Sequence, residues 1–327
     1  MSDEAADSVE LALDILECSQ KELAQRLGVS QTQISKWKNG EYMSLDMASK
    51  IRKLTKIGDK HPSFVRWAGS LADATKWQDL FKNLAEIAND SAETGYDTHY
   101  LTDNIDLLCV QTTDTLSALG VAPPKGFPAR LRPDGSEEWW GRIDNNPYSS
   151  LVHSVYKSLT GVYGFYAAYI DSLTNDEELE LWDTPAANIE PCLIDLAATK
   201  IDVNESFAPK FREFRHRIRK DYTEWLTFLK DKAFRSGIPL RAELLNLVHD
   251  TLGGIEQEAE SEALGFNSSR LHPDIYMNEL LSGMRIIHQV LPAIMKKLGI
   301  DDREFRLDTS ELHNDSARFE RETEKDE

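Results

Sequence analysis

Four polar side chains within residues 31–36 have the types and spacing needed to read nucleic-acid bases. Gln31, Thr32 and Gln33 are consecutive, and Lys36 follows about one helical turn later. A glutamine amide can pair with N6 and N7 of adenine, and a lysine ammonium can reach O6 and N7 of guanine. A threonine methyl can contact the methyl group of thymine. A helix can present such residues to base edges from its N-terminal end in the major groove, so the elements around them decide whether this chemistry is possible.

Local signals predict a helix before this polar group. Ser19 and Glu22 have capping-box spacing, which predicts a helix over residues 20–27. Gly28 follows, where a left-handed residue can end a helix. A tight turn is therefore expected directly before the polar residues.

Similar signals predict that the polar residues begin a second helix. Ser30 is placed to cap a helix that runs to about residue 38, and Asn39-Gly40 is placed to end it. The spacing of apolar residues predicts one further helix before these two, around residues 9–16, and another after them, from near Ser44. Two short helices joined by a glycine-containing turn are typical of a helix-turn-helix motif.

The segment SQKELAQRLGVSQTQISKWKNG, residues 19–40, resembles the lambda repressor/Cro family of DNA-binding domains. The resemblance spans about residues 9–57, roughly 15% of the chain, and Lys38 stands where the family often has Glu. It implies that the second helix reads double-stranded DNA and that two copies bind half-sites about one helical turn apart. It is carried by residues of the expected type at eleven positions: Leu23, Ala24, Gly28, Val29, Ser30, Gln31, Ile34, Ser35, Trp37, Asn39 and Gly40.

Two sets of DNA contacts follow from this placement. The predicted base-contacting residues are Gln31, Thr32, Gln33 and Lys36. The predicted backbone-contacting residues are Gln20, Ser30, Lys38 and Asn39. The alternative is that these are only solvated surface residues and that the domain binds protein instead.

Charge is distributed unevenly along the chain. The net charge is −19, which by itself argues against a nucleic-acid partner. Residues 18–60, however, carry nine basic and four acidic residues, so the remainder of the chain carries −24. The sequence therefore predicts one short basic module, residues 18–60, inside an N-terminal domain of residues 1–60, and a strongly acidic body, residues 61–300.

The body is predicted to be all-α, because period-2 runs are scarce. A helical dimerisation or regulatory domain is expected there, with a protein partner or a small effector as possible ligands. Pro292 is expected to kink or split the last helix. Apolar residues recur at helical spacing in six stretches: 77–87, 101–119, 152–170, 207–229, 244–255 and 280–298.

Two segments of the body depart from simple amphipathic helices. Residues 120–148 hold five Pro, four Gly and the pair Trp139-Trp140, which predicts an irregular insert. It is either a linker packed on the body or a flap that contacts a ligand or partner. Residues 210–220 hold six basic residues on a predicted helix. They form either a solvated face or a secondary anion contact through Arg212, Arg215 and Arg219.

The remaining features exclude several classes of protein. Residues 301–327 hold eleven acids and five bases, which predicts a disordered tail. Three widely spaced cysteines and an acidic N-terminus favour a cytoplasmic protein without a signal peptide. No apolar run is long enough to span a membrane, and no common catalytic, metal-binding or cofactor motif is found, so no enzyme, metal or cofactor is predicted.

Two functions remain open from the sequence. The first is a bacterial or phage-type transcriptional regulator, a repressor more than an activator, that reads an operator as a homodimer. The second is an antitoxin-like interaction protein whose helical body sequesters a partner while the basic domain regulates its own promoter. A stoichiometric partner in the native host would favour the second function.

Overall fold

The computed structural model describes residues 4–133, 136–236, 242–266 and 273–299. Every regular element in these ranges is helical, so the all-α prediction is confirmed. The described residues form two compact units, one within residues 1–270 and one within 271–327. The predicted acidic tail, residues 301–327, lies outside the described residues.

Four helices build the N-terminal part of the first unit: α1 (Glu4–Ile15), α2 (Gln20–Leu27), α3 (Gln31–Lys38) and α4 (Leu45–Thr55). Ser19, Ser30 and Ser44 each accept a backbone N–H and cap the helix that follows. The predicted boundaries hold because these caps satisfy N–H groups that have no partner within the helix. Their apolar faces enclose a small core made of Val9, Ala12, Leu23, Ala24, Leu27, Ile34, Trp37, Met43 and Ile51.

The body follows with helices α5 to α15. The first six are α5 (Pro62–Ala68), α6 (Leu71–Asp90), α7 (His99–Thr102), α8 (Ile105–Ala118), α9 (Glu137–Asn145) and α10 (Pro147–Tyr169). The next five are α11 (Asp171–Thr174), α12 (Leu193–Ala198), α13 (Phe211–Arg235), α14 (Asn246–His249) and α15 (Leu252–Ala263). Short 3₁₀ turns connect several of them.

Helix α10 is the centre of the body. It packs against α6, α12 and α15, and most of its residues are buried. Tyr156, Phe165 and Tyr166 are among its fully buried side chains, so these aromatic residues belong to the core. Gly161 and Gly164 let neighbouring chain segments approach α10 closely, because an added Cβ would meet Glu256 or Thr94 at under 3.0 Å.

The structure corrects two predictions about the body. The insert at 120–148 is not irregular throughout, because it contains a 3₁₀ turn at Ala129–Leu131 and helix α9. Trp139 on α9 is buried and donates from Nε1 to the carbonyl oxygen of Leu131 at 3.1 Å, which explains how this segment is held. The apolar stretch 244–255 is not one helix, because the hydroxyl of Thr251 accepts the backbone N–H of Gly254 and starts α15 anew.

The second unit is described through one helix, α16 (Pro273–Leu298). Pro292 lies inside α16, and the helix continues through it, so the alternative of a split at this residue is wrong. Among the described residues, no helix combines the length and apolar character needed to cross a membrane.

Candidate nucleic-acid interface

Helices α2 and α3 are joined by the tight turn that the sequence predicts. Gly28 has φ of +71°, in the left-handed region that glycine adopts without strain. The backbone N–H of Val29 then donates to the carbonyl oxygen of Ala24 at 3.0 Å, which closes the end of α2. Ala24 is buried at this corner, where its small side chain permits close helix packing.

The orientation of α3 is fixed by two buried side chains. Ile34 and Trp37 point into the N-terminal core, with exposed fractions of 0% and 5%. The indole Nε1 of Trp37 also donates to the carbonyl oxygen of Tyr42 at 3.1 Å, which ties the following loop to the helix. Since these residues take the inner face, the opposite face of α3 is turned to solvent.

The predicted base-contacting residues fall mainly on this outer face. Gln31, Thr32 and Lys36 are exposed, whereas Gln33 is half-buried. Gln33 also donates its backbone N–H to the Ser30 hydroxyl oxygen at 3.1 Å, so its main chain is part of the helix cap. The structure therefore brings three of the four side chains together on one open surface and leaves Gln33 at its edge.

The predicted backbone-contacting residues surround this surface. Gln20 is the first residue of α2 and is half-buried, while Ser30 and Asn39 are exposed at the two ends of α3. The exposed Lys38 lies in the last turn of α3. At the start of α2, hydrogen bonds from the backbone and hydroxyl of Ser19 lower the pKa of Glu22.

Two carboxylates engage the lysines of α3. The Nζ of Lys36 lies 3.2 Å from Oε2 of Glu41, which follows the helix. The Nζ of Lys38 lies 3.6 Å from Oε1 of Glu10 on α1. A DNA phosphate or base edge approaching these lysines would compete with a partner that is already present.

Two apolar residues beside α3 are exposed, which helical spacing in the sequence does not predict. Tyr42 and Leu45 are 84% and 83% exposed, in the loop after α3 and at the first turn of α4. Single exposed apolar side chains are common on protein surfaces, so it is their position beside α3 that makes these two candidates for a contact. Tyr42 carries a hydroxyl able to donate to a phosphate oxygen.

Helix α1 connects this surface to the body. Glu10 bonds Lys38 on one side and the guanidinium of Arg66, on α5, on the other. Arg66 also donates to Oδ1 of Asp7 at 2.5 Å. Leu11, next to Glu10 in sequence, belongs to the core of the body, whereas Val9 and Ala12 belong to the N-terminal core. Helix α1 therefore contributes side chains to both cores. The division of the chain into a separate domain at residues 1–60 stays a prediction.

The link between α4 and α5 is held as well. Nη1 of Arg52 donates to the carbonyl oxygens of Gly58 and Lys60 at 3.2 and 3.1 Å. Its Nη2 lies 3.2 Å from Oε1 of Glu4 on α1. These bonds attach the connection to two helices of the N-terminal core.

The basic stretch of α13 is less uniformly exposed than a solvated face would be. Nε of Arg212 donates to Glu205 at 2.7 Å, and the guanidinium of Arg215 lies 5.1 Å from the ring of Phe211. Arg219 is half-buried, and its Nε has no acceptor within the described part of the chain. Burial and the neighbouring Arg215 lower the pKa of Arg219.

Metal-ligand geometry is not found in the described ranges. No group of three or more His, Cys, Asp or Glu side chains there could hold a metal ion. The cysteines at 18, 109 and 192 are all free, and burial raises the pKa of Cys192 to about 11.

Comparison with known proteins agrees with the geometry of the N-terminal helices. Residues 13–58 match the Helix-turn-helix family model, so this segment is a helix-turn-helix domain like those of lambda repressor and Cro. This family match supports DNA binding, and it covers α2, α3 and α4 in full. No curated protein and no solved structure matches the chain.

Proposed function

We propose that the chain is a sequence-specific transcriptional regulator of a bacterium or phage that acts in the cytoplasm and reads an operator as a homodimer. The observation that carries the proposal is the outer face of α3, where Gln31, Thr32 and Lys36 are exposed while Ile34 and Trp37 fix the helix from below. Repression follows most simply, because a protein that occupies a promoter excludes the polymerase. The proposal assigns no enzymatic activity to the chain.

The base contacts are proposed for Gln31, Thr32, Gln33 and Lys36. Gln33 would read its base from the edge of the surface, whereas the others face it directly. The phosphate contacts are proposed for Gln20, Ser30, Lys38 and Asn39, with the hydroxyl of Tyr42 added from the structure. Phosphate contacts fix the position of α3 on the duplex, and the base contacts then choose the sequence.

The test is selection of DNA from a random pool with the full-length protein and with the Gln31→Ala/Gln33→Ala double variant. We expect wild type to enrich a palindrome, and the variant to lose that preference while it keeps weak, salt-sensitive binding. Gln257→Ala, an exposed glutamine on α15, is the control and should enrich the wild-type sequence. If wild type enriches no sequence, operator recognition is wrong.

A secondary phosphate contact on α13 is part of the proposal. Arg215 and Arg219 have no carboxylate partner within hydrogen-bonding distance among the described residues, in contrast to Arg212. An anion would therefore meet less competition at these two arginines. Substituting both with Gln should make the negative slope of log K against log salt shallower by about 1.8, since each phosphate contact contributes about 0.9 to its magnitude. An unchanged slope would remove α13 from the DNA interface.

An antitoxin-like interaction protein is the second candidate. The observation in its favour is the strongly acidic remainder of the chain, which suits a basic partner. Purification of the protein from its native host separates the candidates. A stoichiometric basic protein would favour the second, and a homodimer that protects an operator would favour the first.

A further inference from the structure

Helix α16 carries an exposed apolar seam with the spacing of a coiled coil. Its apolar residues recur at alternating steps of four and three, which is a repeat of 3.5 residues. Along this seam Met284 is 56% exposed and Ile287 is 60% exposed. The seam consists of Leu280, Met284, Ile287, Leu291, Ile294 and Leu298, all of which are exposed.

The seam is large enough to form a stable interface. Leu281 and Val290 flank it, and they are 44% and 45% exposed. Eight large apolar side chains left about half open provide an area on the order of the 800 Å² per partner that stable protein complexes bury. A helix of 26 residues is about 39 Å long, so this area is one continuous strip.

We infer that this seam pairs with α16 of a second copy of the chain in the antiparallel direction. The heptad pattern favours a helix as the occupant, because each seam residue needs a hole formed by a facing helix. A second copy supplies an identical seam, and an antiparallel pair is related by the two-fold axis that a closed dimer requires.

Charge selects the antiparallel direction. By sequence, the first turns of α16 carry the acidic residues Asp274 and Glu279, its last turn carries Lys296 and Lys297, and Arg285 lies at its middle. Antiparallel pairing sets the acidic half of one copy beside the basic half of the other, whereas parallel pairing sets like charges side by side. Parallel pairing would also start both acidic segments 301–327, each with a net charge of −6, from the same end.

The register follows from the same repeat. Pairing about the middle of α16 sets Leu280 against Leu291 of the second copy, and Met284 against Ile287. Both pairs join apolar seam residues, so no polar side chain has to enter the seam. The inference rests on the proposed function for its purpose, because a dimer supplies the two helix-turn-helix domains that an operator with two half-sites requires.

The first test measures the oligomeric state without DNA, so that its outcome is independent of operator recognition. Sedimentation of the full chain at micromolar concentration should show a dimer for wild type and a monomer for Ile287→Asp. We expect the variant to raise the dissociation constant by at least about 100-fold, the effect of losing a central contact. Gln289→Asp adds the same charge outside the seam and should remain dimeric.

The second test measures direction and does not depend on a destabilising variant. Oxidation of a mixture of Leu280→Cys and Leu291→Cys proteins should give a disulfide-linked heterodimer, while Leu280→Cys alone should not link to itself. Wild type, with its three native cysteines, is the control for adventitious linkage. A monomeric wild type, a dimeric Ile287→Asp protein, or self-linkage of Leu280→Cys would each overturn the inference. Failure to select an operator would instead contradict the proposed function alone.

Discussion

Lys36 and Glu41 form an ion pair at the surface proposed to meet DNA, with Nζ and Oε2 3.2 Å apart. Both side chains are about half exposed, so the pair can open at small cost. Lys36 is the residue expected to reach guanine, and Glu41 is the acid that a DNA phosphate would approach. The pair therefore competes with DNA at the position where the second helix of the motif reads the groove.

Glu41→Gln should bind operator DNA about two- to fivefold more tightly, because it frees Lys36 and removes a charge that repels phosphate. Fluorescence anisotropy with a labelled operator measures the change, which should shrink at high salt as screening increases. Glu86→Gln, which removes an equally exposed carboxylate beside Lys82 on α6, is the matched control and should bind as wild type does. Weaker binding by Glu41→Gln would show that Glu41 supports the interface.

Arg66→Met should destabilise the chain by about 2 kcal/mol. It leaves the carboxylate of Asp7, whose side chain is 12% exposed, without its cationic partner. The effect should fall below the roughly 3–5 kcal/mol of a fully buried pair, because Arg66 is itself a third exposed. Urea unfolding measures it, and adding Asp7→Asn should recover part of the loss. Lys82→Met, at an exposed pair, should change stability by less than about 0.5 kcal/mol.

Gly164→Ala should destabilise the body by about 1–3 kcal/mol, the usual range for overpacking. The new methyl group would lie 2.6 Å from Cβ of Thr94, and a Cβ atom cannot move without the backbone. Gly141→Ala on α9 is the control, because its Cβ would meet no atom within 4 Å. It should raise the melting temperature slightly through its better helix propensity. Equal melting temperatures for the two variants would contradict the close contact at Thr94.

Asp195→Asn should stabilise the body at neutral pH. Burial is the main cause that raises the pKa of Asp195 above its usual 3.8. The ionised carboxylate therefore destabilises the folded chain at neutral pH. The asparagine oxygen can still accept the hydrogen bond that Thr115 donates at 2.6 Å. The same hydrogen bond lowers the pKa of Asp195, against the larger effect of burial.

The sign of the pH dependence follows from that raised pKa. As pH falls through the folded pKa of Asp195 toward 3.8, the folded chain takes up a proton before the unfolded chain does, and wild type gains stability. The advantage of Asp195→Asn should therefore be largest at neutral pH and disappear near pH 3.8. Urea unfolding of both proteins across this range measures it. An advantage that grows as pH falls would contradict the raised pKa.

The sequence by itself determined the helices of the N-terminal domain and the all-α class of the body. The cap of α2 at Ser19 and the left-handed turn at Gly28 are local signals, each readable within a few residues. Helical spacing likewise located α6, α10 and α13, because a long amphipathic pattern reports burial directly. The family match of residues 13–58 rests on the same local residues.

Only the tertiary structure decided how these elements meet. Asp7 and Arg66 are 59 positions apart in the chain, and no periodicity in the sequence predicts that they form an ion pair. The spacing of apolar residues does not predict that Trp139 donates a hydrogen bond to Leu131, nor that a helix forms in the Pro-rich segment. Leu11 belongs to the core of the body, whereas Val9 belongs to the N-terminal core, and this difference depends on which helices pack against each side of α1. Local sequence specifies caps and faces, whereas the choice between possible long-range partners is made by packing of the whole chain.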